Sequence, residues 1–574
     1  MKIRLFRLLL ALAMIFACLT GCGTETPSVT PSEETAATEV KTEAADVPED
    51  TPPKDASIAE PVSDAEDEAP AVQEITLPLT TEDAEITVWY AGSPHQMPYL
   101  EDGTYTNTVV NKAVSAATGI DINFTTVSNE GAADSFNLMI ASNDLPDIID
   151  SFTNFYTLGM DYAVNEEEII YDLAPYLEES VPNFYAILEA NPDVKRDITT
   201  DTGIIGGIYT LNTGNSYNGQ GLSIRSDMLE AVNAEIPTTY DAFEETIQAI
   251  YAETGVQGAL IYKNFFGQYF AGGFGTYAKL TTNPDVNYPL YQIDGQVQFA
   301  PLTEEYREYI DTMQRWYSEK VIYQDYYVYS NPGELEGVIT GGGASVAMGS
   351  GSELETRSAD VDYQWLPMAD LVKQEGDMIH TGTAPYEEGD VSISKVEVIT
   401  TQCSDLDLIL SLYNYMFSED GSMLASYGIE GETFAYNDNG KPELTELIME
   451  DDTIGANQAV ELYTTTVSAL IDATRTSSAV TDFQIECYDL WTSNMDDAYT
   501  LDTSVLALTT EEAEAINKVA GDIVTYVEEA NVKFITGALN TESDYDAFLD
   551  TLEAMGIQDM IDAYQNAYDR YLSR

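Results

Sequence analysis

The sequence predicts an α/β fold, and three observations carry that prediction. Ala84-Glu85-Ile86-Thr87-Val88-Trp89-Tyr90 alternates in polarity and is rich in β-branched residues, as a strand does. Val109, Val110, Ala113, Ala116 and Ala117 then follow a helical pattern closed by Gly119, and Ile120-Asp121-Ile122-Asn123-Phe124 reads as the next strand. A helix joining two strands in this way suggests a βαβ unit. The length, 574 residues, leaves room for more than one lobe of ordinary domain size.

Ahead of this unit, Lys2, Arg4 and Arg7 form a basic start, Leu8 to Leu19 is almost wholly apolar, and small residues lead into a cysteine. This is an export signal. Its apolar core is about a dozen residues, short of the roughly 20 that a membrane-spanning helix needs. Leu19-Thr20-Gly21-Cys22 resembles a bacterial lipobox. The resemblance implies a signal peptide over residues 1–21 and a lipid anchor, palmitate included, on Cys22, holding the chain on the extracytoplasmic face of the cell membrane. Residues 22–83, rich in Thr, Pro, Ser and Glu, read as a disordered acidic spacer. As a flexible coil it spans roughly 45 Å.

The chain carries 23 Lys and Arg against 99 Asp and Glu, a formal net charge of −76. Such a surface repels phosphate backbones, so nucleic acid is excluded as a partner. Of four cysteines, Cys18 falls in the signal and Cys22 takes the lipid, leaving Cys403 and Cys487 either to pair or to stay as buried thiols. That rules out a disulfide scaffold. The two histidines, His95 and His380, have no partner at ligand spacing, which argues against a zinc site and a His-based catalytic triad.

A helix over Ala133–Ala141 precedes Ser142-Asn143-Asp144-Leu145-Pro146-Asp147-Ile148-Ile149, which resembles the segment that brings the third strand to the cleft in extracellular solute-binding proteins of carbohydrate ABC importers. Gly206-Gly207-Ile208-Tyr209-Thr210-Leu211 resembles that family's G-K-I-Y-G-L-P segment, with Gly207 and Thr210 in place of the usual lysine and glycine. Leu222 to Leu229 resembles its hinge strand and helix, and Pro237-Thr238-Thr239-Tyr240-Asp241-Ala242-Phe243 its recurrent helix start. This last segment also has a physical reading. Thr238 caps a helix with Asp241 three residues on, and Phe243, Ile247, Ile250 and Tyr251 share one face.

Gly341-Gly342-Gly343 and the glycines to Gly351 invite a phosphate loop, but no G-x-x-x-x-G-K-[ST] is present. The resemblance implies instead a strand and a Gly/Ser turn at the cleft lip. Asp362 to Pro367 reads as a strand, Val391-Ser392-Ile393-Ser394 as the return crossing between lobes, and Asp405 to Phe417 as an amphipathic helix. Tyr427-Gly428-Ile429-Glu430-Gly431-Glu432, Lys533-Phe534-Ile535-Thr536-Gly537 and Tyr564 to Tyr571 resemble a subgroup similar to the LplA-like lipoproteins. Asn437, Asn439 and Glu446 partly imitate a calcium loop, but its first position is Ala435; a hairpin turn at Asp438-Asn439-Gly440 is simpler.

The family resemblance implies a two-lobed periplasmic-binding-protein-like fold of type II. Residues 84–217 and about 391–455 form one lobe, and 218–390 and about 456–574 the other. It implies a monomer that closes on an oligosaccharide and hands it to a membrane permease, with no catalysis, cofactor or metal. Sugars present hydroxyl edges and apolar ring faces, so a cleft for them combines aromatic and polar side chains. At strand ends the candidates are Trp89, Tyr90, Asp150, Ser151, Asn154, Tyr156, Tyr217 and Asn218, with Ser350 and Ser352 from the opposite lobe. Arg225 reads as a structural ion pair, and Trp316, Trp365 and Trp491 as core. The alternative is an exported glycoside hydrolase or lyase, whose chemistry needs two carboxylates facing one bond; the abundance of acids here gives no specific pair.

Overall fold

A computed structural model of the chain describes residues 75–93, 96–217, 219–263, 266–278, 288–359, 361–449 and 456–574. The signal, Cys22, most of the spacer, His95 and Asn218 lie outside the described residues.

The first lobe begins with β1 (Ala84–Gly92), β2 (Ile120–Ser128), β3 (Ile148–Asp150) and β4 (Ile208–Thr213). The expected βαβ unit is present, as the helix Val109–Thr118 joins β1 to β2 in parallel register. Thr108 caps that helix and Gly119, at φ 79°, ends it in the left-handed conformation that glycine adopts without strain. Ile86 and Val88 face one side of the sheet, with Val110, Val114 and Ile148; Trp89 faces the other, with Phe136 and Ile149. Both faces are covered, as a largely parallel sheet requires.

The chain then builds the second lobe on β5 (Gln220–Arg225), β6 (Gln257–Leu260), β7 (Ala344–Ser350) and β8 (Trp365–Met368). Their order in the sheet is β8-β5-β7-β6. Leu222, Ile224, Val346 and Met348 pack there with Trp316, Trp365 and Trp491 in one core, which the helices Thr510–Ile535, Tyr545–Met555 and Ile557–Tyr571 also enter. In the helix Tyr240–Thr254 the cap is Thr239, one residue later than expected, because its hydroxyl accepts from Ala242 N. Phe243, Ile247 and Ile250 are fully buried there, whereas Tyr251 is exposed.

The chain returns to the first sheet with β9 (Val391–Ile399) and β10 (Leu470–Asp472), giving the order β10-β4-β9-β3-β1-β2. β9 runs antiparallel to both β3 and β4, and β10 runs parallel to β4. The last lobe change therefore falls after Asp472, not near residue 455. The helix Ala456–Thr464 belongs to the first lobe, where Ala459 and Val460 pack with Tyr427 and Ile448. Three segments thus link the lobes: β4 to β5, β8 to β9, and β10 to the helix Asp482–Thr492.

Candidate ligand cleft at the lobe junction

Between Ile393 and Val396, β9 carries one more residue than β4, a bulge that shifts the register where β3 ends. Within this bulge lies Lys395, whose ammonium group meets two carboxylates. It donates to Asp150 and, at 3.2 Å, to Glu397. Glu397 is fully buried and also accepts from Tyr413 OH at 2.8 Å and from Ser468 N at 2.7 Å. Ser151 Oγ donates to the other oxygen of Asp150 at 2.8 Å. Lys395 Nζ lies 5.1 Å from the centre of the Tyr90 ring, and its side chain keeps about a quarter of its surface exposed.

Burial works against the charge on Lys395, but Asp150, Glu397 and Tyr90 outweigh it and hold the ammonium group well above its ordinary pKa. Burial also pushes the Tyr90 phenol up to about 12, against the opposing pull of Lys395. A polar relay continues from there. Tyr90 packs on Tyr105 with ring centres 4.8 Å apart, Tyr105 OH donates to Gln96 at 2.6 Å, and Gln96 donates to Glu461.

Glu461 lines a cavity of about 890 Å³ whose wall takes residues from all three connecting segments: Asn215 from the first, Tyr386 and Asp390 from the second, and Arg475 from the third. Tyr488 completes it. Arg475 donates to Ala425 O at 3.1 Å and Thr464 Oγ1 at 3.2 Å, and its burial lowers its pKa while Glu461 opposes that shift. Tyr217 meets Tyr488 edge to face at 5.5 Å, and Gly351 comes so close to Gln484 that a Cβ there would lie 2.9 Å from its Cα. An aromatic and hydroxyl-compatible wall of this kind, at a junction of lobes, has the character of a small-molecule cleft.

The structure divides the expected site residues. Tyr90, Asp150 and Ser151 gather around Lys395, and Tyr217 sits against Tyr488. Trp89 is a correction. It is 3 % exposed, enclosed by Phe136 and Phe155, and donates to Ser135 Oγ at 3.2 Å. Strand alternation points it to the face opposite Tyr90, so the two cannot serve one cleft. Tyr156 stacks on Phe152 and donates to Glu167 at 2.8 Å, and with Asn154 it lines a separate, smaller cavity. Ser350 caps the helix Gly351–Ser358 in a capping box, with its Oγ 3.2 Å from that of Ser352.

Lys395, Glu461, Arg475 and Tyr488 were not foreseen. Lys395 alone had a signal, a rare cation inside the strand Val391–Ile399 of a strongly acidic chain. Arg225 makes the expected ion pair, its Nε and Nη2 donating to Asp227 at 3.0 and 2.7 Å, and lies over the Tyr363 ring. The calcium-like segment is a hairpin of Phe434–Tyr436 with Pro442–Leu444, where Asn437 Oδ1 accepts from Asn439 N and Lys441 N. Cys403 and Cys487 are free thiols in different lobes.

No protein-family model matches the chain. It is similar to the polygalacturonan/rhamnogalacturonan-binding protein YtcQ of Bacillus subtilis (strain 168), with 21 % identity over 497 residues, covering 84 % of this chain and 90 % of that one. Among solved structures, an extracellular solute-binding protein from Bifidobacterium longum subsp. infantis matches with TM-score 0.65 and 19 % identity over 85 % of this chain and 98 % of its own. The ABC-transporter substrate-binding protein FusA of Streptococcus pneumoniae, in complex with kestose, matches with TM-score 0.62 and 18 % identity over 85 % and 99 %. These likenesses, with the sheet orders and the three connecting segments, show that the chain has the fold of the two-lobed extracellular solute-binding proteins.

Proposed function

We propose that this protein is the substrate-binding component of an ABC importer, anchored by lipid on Cys22 to the outer face of the cell membrane, where it captures an oligosaccharide and delivers it to a permease. The observation that carries this reading is the cavity walled by all three lobe-connecting segments. A ligand bound there touches the backbone that must bend when the lobes move, so it has different contact free energy in the open and closed arrangements and can shift their balance. Tyr488 and Tyr386 offer ring faces, and Asn215, Asp390, Glu461 and Arg475 offer hydroxyl partners. The names of YtcQ and of the kestose-bound FusA support a carbohydrate as the cargo. Among the described residues no helix is long and apolar enough to cross a membrane.

The test is a panel of neutral and acidic oligosaccharides, peptides and polyamines read by tryptophan fluorescence and thermal shift. A sugar should bind, and Tyr488→Ala should weaken it at least about tenfold, the scale of one lost aromatic face. Binding of peptides or polyamines alone overturns the carbohydrate assignment. Replacing Cys22 with Ala should leave affinity intact while the protein is lost from cells to the medium.

A further inference from the structure

A second cavity, of about 290 Å³, lies between the loop that follows β3 and the segment Thr503–Leu508 of the other lobe. The first lobe contributes Asn154 and Tyr209; the second contributes Asn517, Tyr564 and Arg574. Arg574 is held on three sides. Its Nε is 2.8 Å from Asp201 Oδ1, and Nη1 donates to the carbonyls of Arg196 and Val505, both at 3.3 Å. Its side chain is 7 % exposed, and its Nη2 is buried with no hydrogen-bond partner. The Tyr209 hydroxyl, within the field of Arg574, bonds to no described residue either. Tyr564 places a buried aromatic ring beside them. Two groups with unspent hydrogen-bonding capacity, from different lobes, thus line one cavity with aromatic walls.

We propose that this cavity is a subsite for one neutral sugar residue of the cargo, separate from the main cleft. The inference rests on the carbohydrate reading given above. Its size, about 290 Å³, falls just below the roughly 300–1,000 Å³ of small-ligand pockets, which suits one ring and no longer chain. The ring faces of Tyr209 and Tyr564 suit the apolar side of a pyranose or furanose, and Arg574 Nη2 and Tyr209 OH suit its hydroxyl oxygens. Charge selects against an acidic sugar. Arg574 is already neutralised by Asp201, which also pairs with Arg570, and Asp197 lines the same cavity, so a carboxylate would enter a site with no net positive charge to receive it. Asn154 and Asn517, both exposed, stand at the solvent side, where a following residue of the chain would leave.

The experiment is isothermal titration of the full chain and of its Tyr209→Phe and Asn517→Ala variants. The probes are neutral tri- to hexasaccharides of glucose, galactose, mannose, xylose and fructose, and the matching oligogalacturonates. For the neutral series that binds, affinity should rise five- to tenfold at the length that reaches the second cavity. Tyr209→Phe should erase that step while leaving the shorter members unchanged, and Asn517→Ala, on an exposed helix surface, should reduce it. Equal affinities of wild type and both variants at every length overturn the subsite while sparing the carbohydrate reading. Tighter binding of oligogalacturonates through the same two positions overturns its neutral character. If no oligosaccharide binds the wild type at any length, the carbohydrate reading falls and the subsite with it.

Discussion

Arg574 Nε and Asp201 Oδ1 stand 2.8 Å apart across the junction between the two lobes. The same carboxylate pairs with Arg570, whose remaining nitrogens reach Glu512 at 2.7 and 2.6 Å, and Tyr571 OH donates to Asp197 at 2.6 Å. The Arg196 guanidinium lies 4.7 Å from the Tyr571 ring centre. This clasp ties the helix Ile557–Tyr571 of one lobe to the helix Pro192–Ile198 and the loop after it in the other.

Asp201→Ala leaves Arg574 almost wholly buried without its counter-charge. Breaking a buried pair costs about 3–5 kcal/mol; because Arg570 keeps Glu512, we expect about 2–4 kcal/mol here. Urea unfolding should report the loss, and small-angle scattering should show a larger radius as the lobes separate. An unchanged unfolding midpoint would mean that the clasp holds nothing.

Lys395 neutralises two buried carboxylates at the end of β3, so Lys395→Met should be far worse than an ordinary surface change. The expected destabilisation is about 3–5 kcal/mol at neutral pH. Adding Glu397→Gln to that variant should restore part of it, since one uncompensated charge is removed. If the double variant is no more stable than the single one in urea, the triad is not the unit described.

Acid sensitivity should trace in part to Asp147. Burial would raise its pKa, but bonds from Thr87 Oγ1 and N and from Ser404 N, at 2.6, 2.7 and 2.6 Å, outweigh it and hold the carboxyl below the usual aspartate value. A depressed folded-state pKa gives stability that is complete above the unfolded value, about 3.9, and is lost as pH falls through the folded one. Asp147→Asn should be less stable at pH 7 by about 1–3 kcal/mol and should lose less than wild type on going below about pH 4. Parallel stability curves for the two proteins would contradict this.

Burial pushes the Cys403 thiol up to about 11 and that of Cys487 up to about 12, so neither is a thiolate near neutrality. Alkylation at pH 8 followed by peptide mass spectrometry should find both unmodified in the native protein and both modified in urea. Recovery of a Cys403–Cys487 linked peptide would refute their separation into different lobes.

Much of the fold is legible where signals are local. The β1–helix–β2 unit follows from alternation and helical spacing, and Trp316, Trp365 and Trp491 follow from apolar periodicity. β10 is not legible because three residues, Leu470–Asp472, carry no period, and only pairing with β4 makes them a strand. The cleft is harder still. Lys395 acquires its role from a bulge, which depends on the register of β9 against β4 and leaves no mark in sequence. The clasp joins Asp201 to Arg574 over a separation that no window spans, and in so acidic a chain each arginine has many plausible partners. Trp89 is an instructive miss, since the alternation that identified its strand also dictates that it and Tyr90 face opposite ways.

The place of β9 in the first sheet also governs when this chain can fold. β3 and β4 are not paired with each other; each is hydrogen-bonded to β9, which is synthesised only after the whole of the second sheet, and β10 comes later still. The second core in turn waits for the helix Ile557–Tyr571. Neither lobe is therefore complete on a nascent chain until its last quarter has emerged. A polypeptide that cannot close its core early stays threadable, which is consistent with the export proposed above, in which the chain would cross a membrane unfolded and fold on the far side.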